Sequence, residues 1–346
     1  MGADAGGELL LSKRVYDETD ARVRPGRSSR PRTKTRPEHL DAETAMVVAV
    51  DRGRWGCVLD DDPARPVVAM RARELGRTPV VVGDRVSLVG DLSGRTDALA
   101  RIVRVHERRT VLRRTADDTD PFERVVVANA DQLMVVVALA DPPPRTGLVD
   151  RCLVAAFVGG LRPVLCLTKA DLADPAEFVA AYADLDVPVV VMHLGSPLTP
   201  VREVLDGTIT ALVGHSGVGK STLVNRLVPD AHRAVGVVSG IGKGRHTSTQ
   251  SVALPLPLRP DGSAAGWVVD TPGIRSFGLA HVSADDVVAA FGDLAEVAAG
   301  CPRGCTHLGP PADPECALDE LTGTAARRAQ ALRRLLVALS SGDAWA

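Results

Sequence analysis

Two short stretches hold the residue types and spacings that do chemistry. In "GHSGVGKS", Gly214, His215, Ser216, Gly217, Val218, Gly219, Lys220 and Ser221 fill the pattern GxxxxGK[ST]. The apolar "ITALV" enters this loop, and a helix-like "STLVNRLV", opening on Ser221 and Thr222, leaves it. In that strand–loop–helix context, backbone N–H groups freed by the glycines wrap a phosphate at a helix N-terminus. Lys220 then meets the β and γ oxygens and Ser221 meets Mg2+. The second stretch, "CPRGCTHLGPPADPEC", sets Cys301, Cys305, His307 and Cys316 in a C-x3-C-x-H-x8-C array. Three thiolates and one imidazole on a loop punctuated by Pro and Gly suit a closed tetrahedral Zn2+ site, which braces a loop and leaves no position open for catalysis. The spacing is less regular than paired CxxC knuckles, and the competing reading of these residues is free or redox-active thiols.

Two further elements complete a nucleotide pocket. "DTPG" follows the apolar "GWVV", so Asp270 at a strand end can hold Mg2+ through water while Gly273 presents its N–H to a γ-phosphate. "TKAD" ends the apolar "RPVLCL". There Asp171 can accept hydrogen bonds from N1 and N2 of guanine, a donor pair that adenine lacks. The Lys169 stem can lie across the purine, and Thr168 and Ala170 complete the element. Together the three motifs point to GTP. Their order is unusual: the base element at 168–171 precedes the phosphate loop at 214–221, where ordinary GTPases run the other way. The expected explanation is circular permutation, because strands that stay neighbours in space rebuild the same pocket.

The remaining chain must supply the strands and helices that carry these motifs. With 346 residues it is long enough for two or three domains. Formal net charge is −2, so overall basicity does not advertise nucleic acid. Residues 21–36, "ARVRPGRSSRPRTKTR", are nevertheless basic throughout and poor in large apolar side chains. Such a window cannot build a core and is expected to be disordered, either a solubilising tail or an arm for nucleic-acid phosphate. Short valine-rich runs between residues 45 and 106 predict a small OB-type β-barrel, and the arginine-rich exit "RVHERRTVLRR" favours RNA over a merely solvated face. From about residue 124 the pattern becomes α/β: "QLMVVVALA" and "RPVLCLTKADL" read as buried parallel strands and "GLVDRCLVAAFVGG" as a helix. "TAARRAQALRRLLVAL" reads as an amphipathic helix with a solvated arginine face. Cys57, Cys152 and Cys166 sit in apolar surroundings and are expected to be packing residues. No apolar run spans a membrane and the first residues lack the core of a signal peptide, so a cytoplasmic protein is expected.

Motif order, leading barrel and trailing Cys/His cluster together resemble the ribosome small-subunit-dependent GTPase A family (RsgA/YjeQ), over roughly residues 40–340. The resemblance implies an α/β circularly permuted P-loop GTPase domain, preceded by an all-β OB-type barrel and followed by a zinc-binding, helical C-terminal domain. The expected divisions are a basic arm at 1–40, the barrel at 41–115, the GTPase domain at 116–284 and the zinc-finger domain at 285–346. It also implies hydrolysis of GTP to GDP during late maturation of the 30S subunit, contact with 16S rRNA through barrel and zinc domain, and release after hydrolysis, by a monomer that binds no membrane. The family's zinc ligands fall on Cys301, Cys305, His307 and Cys316, although the first zinc loop here is short and the last is long for the family. Thr168 stands where many GTPases have Asn, which implies a weaker brace on the phosphate loop. "HLGS" around Ser196 is the counterpart of the loop that touches the base.

Ile274 follows DTPG, so no glutamine stands where Ras-like enzymes orient the attacking water. "GKGRHTST" is the expected switch I, with His246 as the residue that places the water and a hydroxyl from Thr247, Ser248 or Thr249 completing the Mg2+ shell. The bland alternative for His246 is a solvated loop histidine. Gly217 occupies the position where potassium-activated GTPases carry Asn, which speaks for no monovalent activator. Two other classes compete: an ATPase or metabolic kinase, opposed by TKAD, and an RNA-binding module whose nucleotide site binds without turnover, opposed by Lys220, Ser221 and Asp270.

Overall fold

In the computed structural model, which describes residues 39–51, 53–95, 97–115, 122–229, 251–271 and 278–340, the valine-rich segments build a five-stranded barrel. Its strands are β1 (Glu43–Asp51), β2 (Arg54–Leu59), β3 (Pro66–Arg71), β4 (Arg85–Gly90) and β5 (Ala100–Val105), ordered β1-β2-β3-β5-β4, and pairing of β4 with β1 closes it. Alternate side chains such as Ala45, Val47, Cys57, Val67, Val86 and Ile102 fill the interior, as period-two strands require.

The run "VVVGDRVSLVG" reads as one strand, yet the strand starts only at Arg85. Gly83 is the reason: its φ is +89°, and a Cβ there would lie 1.8 Å from the carbonyl oxygen of Ala128. Residues 81–84 instead turn sharply, and buried Asp84 accepts from the Val81 N–H at 2.8 Å and from Arg108 Nε and Nη2 at 2.7 and 2.9 Å. Other arginines of the barrel exit are engaged in the same way. Arg109 pairs with Asp131 at 2.7 Å and Arg113 pairs with Glu123, fixing the two-stranded sheet of β6 (Val111–Arg114) and β7 (Arg124–Ala128). The sequence suggested RNA for this run; at these three positions the structure uses its charges for internal pairing.

The α/β portion is a sheet ordered β10-β9-β8-β11-β13-β12. Its strands are β8 (Gln132–Ala138), β9 (Arg162–Thr168), β10 (Val189–Val191), β11 (Thr208–Val213), β12 (Val252–Pro255) and β13 (Gly266–Asp270), all parallel except β12. Every residue of β8 is buried, which is why it reads as a continuous apolar run. Leu133, Val135 and Val137 face one layer with α1 (Thr146–Val158) and the aromatic pair Phe178 and Tyr182 of α2 (Ala176–Tyr182). Met134, Val136 and Ala138 face the other with α3 (Thr199–Leu205) and α4 (Lys220–Leu227). Each of these leucine, valine, methionine and phenylalanine side chains withdrawn from water is worth about 1.5–3 kcal/mol. Cys57, Cys152 and Cys166 are buried in these cores, and burial pushes each thiol up to about 12, in keeping with a packing role.

Barrel and α/β sheet are joined edge to edge, because β1 pairs with β12 at Ala49 and Val252. A bulge between Val47 and Ala49 in β1 marks the junction. Beyond β13, Ser283 and Asp286 form a capping box that starts α5 (Ala284–Ala289). After α6 (Gly292–Ala298) comes the Cys/His loop, then α7 (Gly323–Ser340). Arg327 is exposed as expected of a solvated face, but Arg328, Arg333 and Arg334 are drawn inward. Arg327 pairs with Asp184, Arg328 with Asp186 and Asp293, Arg333 with Asp319, and Arg334 with Asp150, while Leu332, Leu335 and Leu336 enter the core beside α1. Among the described residues no helix is long and apolar enough to cross a membrane.

Candidate nucleotide-binding site and metal centre

The phosphate loop hangs between the C-terminal end of β11 and the first turn of α4. Glycine is mandatory at its entry: a Cβ on Gly214 would approach the Val136 carbonyl oxygen to 2.6 Å. Gly217 and Gly219 have φ of +84° and +94°, conformations that side chains resist and that turn backbone N–H groups toward a common centre. His215 is half-buried, and its Nδ1 lies 2.9 Å from the Ser216 carbonyl oxygen. Lys220, 8% exposed, donates to the Asp270 carboxylate and the Thr271 carbonyl. β13 runs parallel to β11 with Leu212 opposite Asp270, and this register delivers the carboxylate to the loop. Thr271 fixes the strand end by donating its hydroxyl to the Leu212 carbonyl at 2.6 Å. Ser221 and Thr222 are exposed on the first turn of α4.

Permutation leaves the base element in reach. β9 stands two strands from β11, across β8, and ends at Thr168, whose hydroxyl donates to the Val218 carbonyl inside the phosphate loop at 2.6 Å. The substitution of Thr for Asn implied a weaker brace; the hydroxyl makes a short, buried bond all the same. Lys169 adopts a φ of +58° and its ammonium meets the Asp141 carbonyl. A cavity of about 330 Å³ opens here, lined by Thr168, Lys169 and Asp171 of the base element and by Gly219 and Thr222 of the phosphate loop and its helix. Two motifs 50 residues apart in the chain thus share one wall.

Ser196 does not line this cavity directly. Its hydroxyl accepts from the His193 N–H at 2.9 Å and so closes the "HLGS" turn, and His193 and Leu194 of that turn form the cavity wall. His193 and Leu194 fall within the "HLGS" that the sequence singled out, whereas Leu172, Met192 and Arg226 are wall residues that sequence reasoning missed. Their chain positions, next to TKAD, beside Ser196 and one turn along α4, were the available signal. His246, Thr247, Thr249 and Gly273 lie outside the described residues.

The Cys/His loop collects as its spacing suggested. The ligand atoms of Cys301, Cys305, His307 and Cys316 all lie within 4.8 Å of one another, and Cys301 Sγ is 3.5 Å from His307 Nδ1. A tetrahedral zinc with ~2.3 Å bonds to sulfur needs sulfur–sulfur edges of about 3.8 Å, and this donor set fits such an ion. The sulfurs also accept hydrogen bonds suited to thiolates: Ala317 N–H to Cys301 at 3.2 Å, His307 N–H to Cys305 at 3.4 Å, and Arg333 Nη2 to Cys316 at 3.6 Å. Asp313 ties the loop through the Thr306 N–H at 2.9 Å and the Leu308 N–H at 3.0 Å.

Comparison with known proteins agrees with this geometry. Residues 105–280 match the RsgA GTPase family model. The Small ribosomal subunit biogenesis GTPase RsgA of Ectopseudomonas mendocina is 39% identical over 231 residues, covering 63% of this chain and 64% of the relative, so the chain spans just under two thirds of that protein. The protein of the same name from Gemmatimonas aurantiaca is 34% identical over 288 residues, covering 80% of this chain and 90% of the relative. Among solved structures, YjeQ from Thermotoga maritima superposes with a TM-score of 0.62 at 24% identity, over 87% of this chain and 99% of that one. YloQ, described as a circularly permuted GTPase, gives 0.57 at 20% identity, over 88% and 97%. These two likenesses show the fold: a circularly permuted GTPase domain behind a small barrel, with a Cys/His cluster near the C-terminus. By the family model and by its relatives' identity and coverage, the chain belongs to the RsgA GTPase family.

Proposed function

We propose that this protein hydrolyses GTP to GDP and phosphate while bound to the small (30S) ribosomal subunit, assists late maturation of that particle, and dissociates after hydrolysis. The observation that carries the reading is one cavity lined both by Asp171 of the base element and by Gly219 and Thr222 of the phosphate loop and its helix, with Thr168 braced against Val218. The names of the relatives, small ribosomal subunit biogenesis GTPases, supply the particle. In this reading Gly214 to Thr222 bind phosphate, Thr168 to Asp171 and the Ser196 turn bind the base, and Gly273 meets the γ-phosphate. Ser221, Asp270 and a hydroxyl of Thr247 or Thr249 hold Mg2+, which when bound neutralises charge developing on the phosphate oxygens. Lys220 supports that charge from the protein side, and His246 positions the attacking water, an assignment that rests on sequence.

Cys301, Cys305, His307 and Cys316 hold one structural Zn2+. The barrel of 41–115 and the C-terminal domain of 285–346 contact 16S rRNA on either side of the GTPase domain of 116–284, in a cytoplasmic monomer. The test is GTP turnover by the purified protein alone, with 30S subunits, and with 50S subunits as control. Stimulation by 30S alone is the expected result. Equal, slow rates in all three would remove the 30S particle from the proposal, and binding of ADP in preference to GDP would remove GTP.

A further inference from the structure

Arg226, in the last turn of α4, is not part of any motif in the sequence, yet it spans the nucleotide cavity's two walls. Its Nη2 donates to the Ser196 carbonyl at 2.6 Å and its Nη1 reaches the His193 carbonyl at 3.5 Å. Those are the first and last residues of the "HLGS" turn. The turn uses its own polar groups heavily: the His193 N–H donates to Ser196 Oγ at 2.9 Å, the Ser196 N–H to the His193 carbonyl at 3.0 Å, and the Gly195 N–H to His193 Nδ1 at 3.1 Å. It is exposed and only four residues long, so the guanidinium anchoring it to the phosphate-binding helix is a large part of what holds it.

The chemistry of that anchor bears on which purine fits. At position 6 guanine carries a carbonyl, which needs a donor, and adenine carries an amino group, which needs an acceptor. A guanidinium has five donors and no acceptor, and here it engages two of the backbone acceptors the turn owns. We propose that Arg226 is a positioning residue that sets purine selectivity: by engaging the His193 and Ser196 carbonyls it denies acceptors to a 6-amino purine and holds the turn in the form that admits a 6-oxo purine. Asp171 would then read the 1- and 2-positions and the Arg226-held turn the 6-position, two independent checks on one base. The inference rests on the guanine-nucleotide reading above.

Dissociation constants of GDP, IDP, ADP and 2,6-diaminopurine nucleoside diphosphate test it, measured on wild type, Arg226→Ala and Arg226→Lys. The diaminopurine keeps the 2-amino group and changes position 6 from oxo to amino, removing the N1 proton as well; the ratio between IDP and ADP supplies the same contrast without a 2-amino group. In Arg226→Ala, GDP is expected to weaken by about tenfold, the size of one lost charge-assisted hydrogen bond, and both 6-oxo to 6-amino ratios to narrow by a similar factor. Arg226→Lys, which restores a cation and one donor, should recover part of each ratio. Loss of structure alone would weaken all four ligands together and leave the ratios unchanged, and that result overturns the inference while the GTP assignment stands. Failure of the wild type to bind GDP at all would overturn the functional reading and this inference with it.

Discussion

A single hydroxyl at Thr168 does the work that the usual asparagine side chain would do. Its 2.6 Å bond to the Val218 carbonyl is buried, and Val218 is 4% exposed, so removing the hydroxyl strands an acceptor that water does not reach. Thr168→Val is isosteric and is expected to lower stability by about 1–3 kcal/mol, the cost of an unsatisfied buried acceptor, with GDP affinity falling as the loop loosens. Thr168→Ser should keep both. Chemical unfolding and GDP titration of the three proteins decide it. Legibility at this scale was uneven for a physical reason. Gly214, Lys220, Ser221 and Asp270 could be read directly, because phosphate and metal chemistry tolerate few residue types at fixed spacing. Leu172, Met192 and Arg226 could not, since apolar walls and backbone anchors are met by many residue types, and only folding brings them to the cavity.

At the scale of elements, α7 shows why an amphipathic pattern does not reveal where its charges go. The alternation of leucines and arginines was legible, but the carboxylates that receive the arginines sit on α1, α6, the turn after α2 and the segment after Cys316, remote in sequence. Arg333 ties this helix to the metal loop through the His307 carbonyl at 3.0 Å and Cys316 Sγ at 3.6 Å. Metal analysis is expected to find one zinc per chain, and its removal by a strong chelator should lower the melting temperature by roughly 5 °C or more, because loop and helix lose their common anchor.

Asp150 of α1 belongs to the same interface. It is buried 3.4 Å from Arg334, and burial pushes its carboxyl up to about 6, only partly offset by Arg334 and a hydrogen bond from Tyr182. With the folded-state pKa above the ordinary carboxylate value, the folded protein binds this proton more tightly than the unfolded chain. Stability from this group is therefore complete below about pH 4 and is lost as pH rises through about 6, by on the order of 3 kcal/mol. Unfolding measured from pH 4 to 8 should show this loss in the wild type, and Asp150→Asn should flatten that part of the slope. An unchanged slope would exclude Asp150 as its source.

For the molecule as a whole, barrel, α/β sheet and C-terminal helix share one apolar core. Met46 and Val58 of the barrel, Leu133 and Val135 of β8, and Leu332 and Leu335 of α7 lie in the same buried cluster, and the sheet runs unbroken through Ala49 and Val252. Scanning calorimetry of the full chain is expected to show one cooperative transition for these parts, with calorimetric and van't Hoff enthalpies in agreement. Two resolved transitions would mean that the shared core is energetically minor. Barrel, permuted α/β order and metal loop were each legible from local patterns; their fusion into one sheet was not, because a single pairing between strands about 200 residues apart leaves no local trace.

That pairing matters most while the protein is being made. On a translating ribosome β1 emerges about 200 residues ahead of β12; β4 covers its Glu43–Met46 half as the barrel closes, but Ala49 waits for Val252, so a growing chain carries a short open strand edge prone to unwanted pairing until β12 follows. The permutation sharpens the exposure. Thr168 to Asp171 emerge well before the phosphate loop, and Lys220 lacks its carboxylate partner until Asp270 is added. A bound nucleotide stabilises only what can bind it, so the guanine nucleotide of the proposed reading protects a chain that carries all three motifs and offers nothing to one stalled before Asp270.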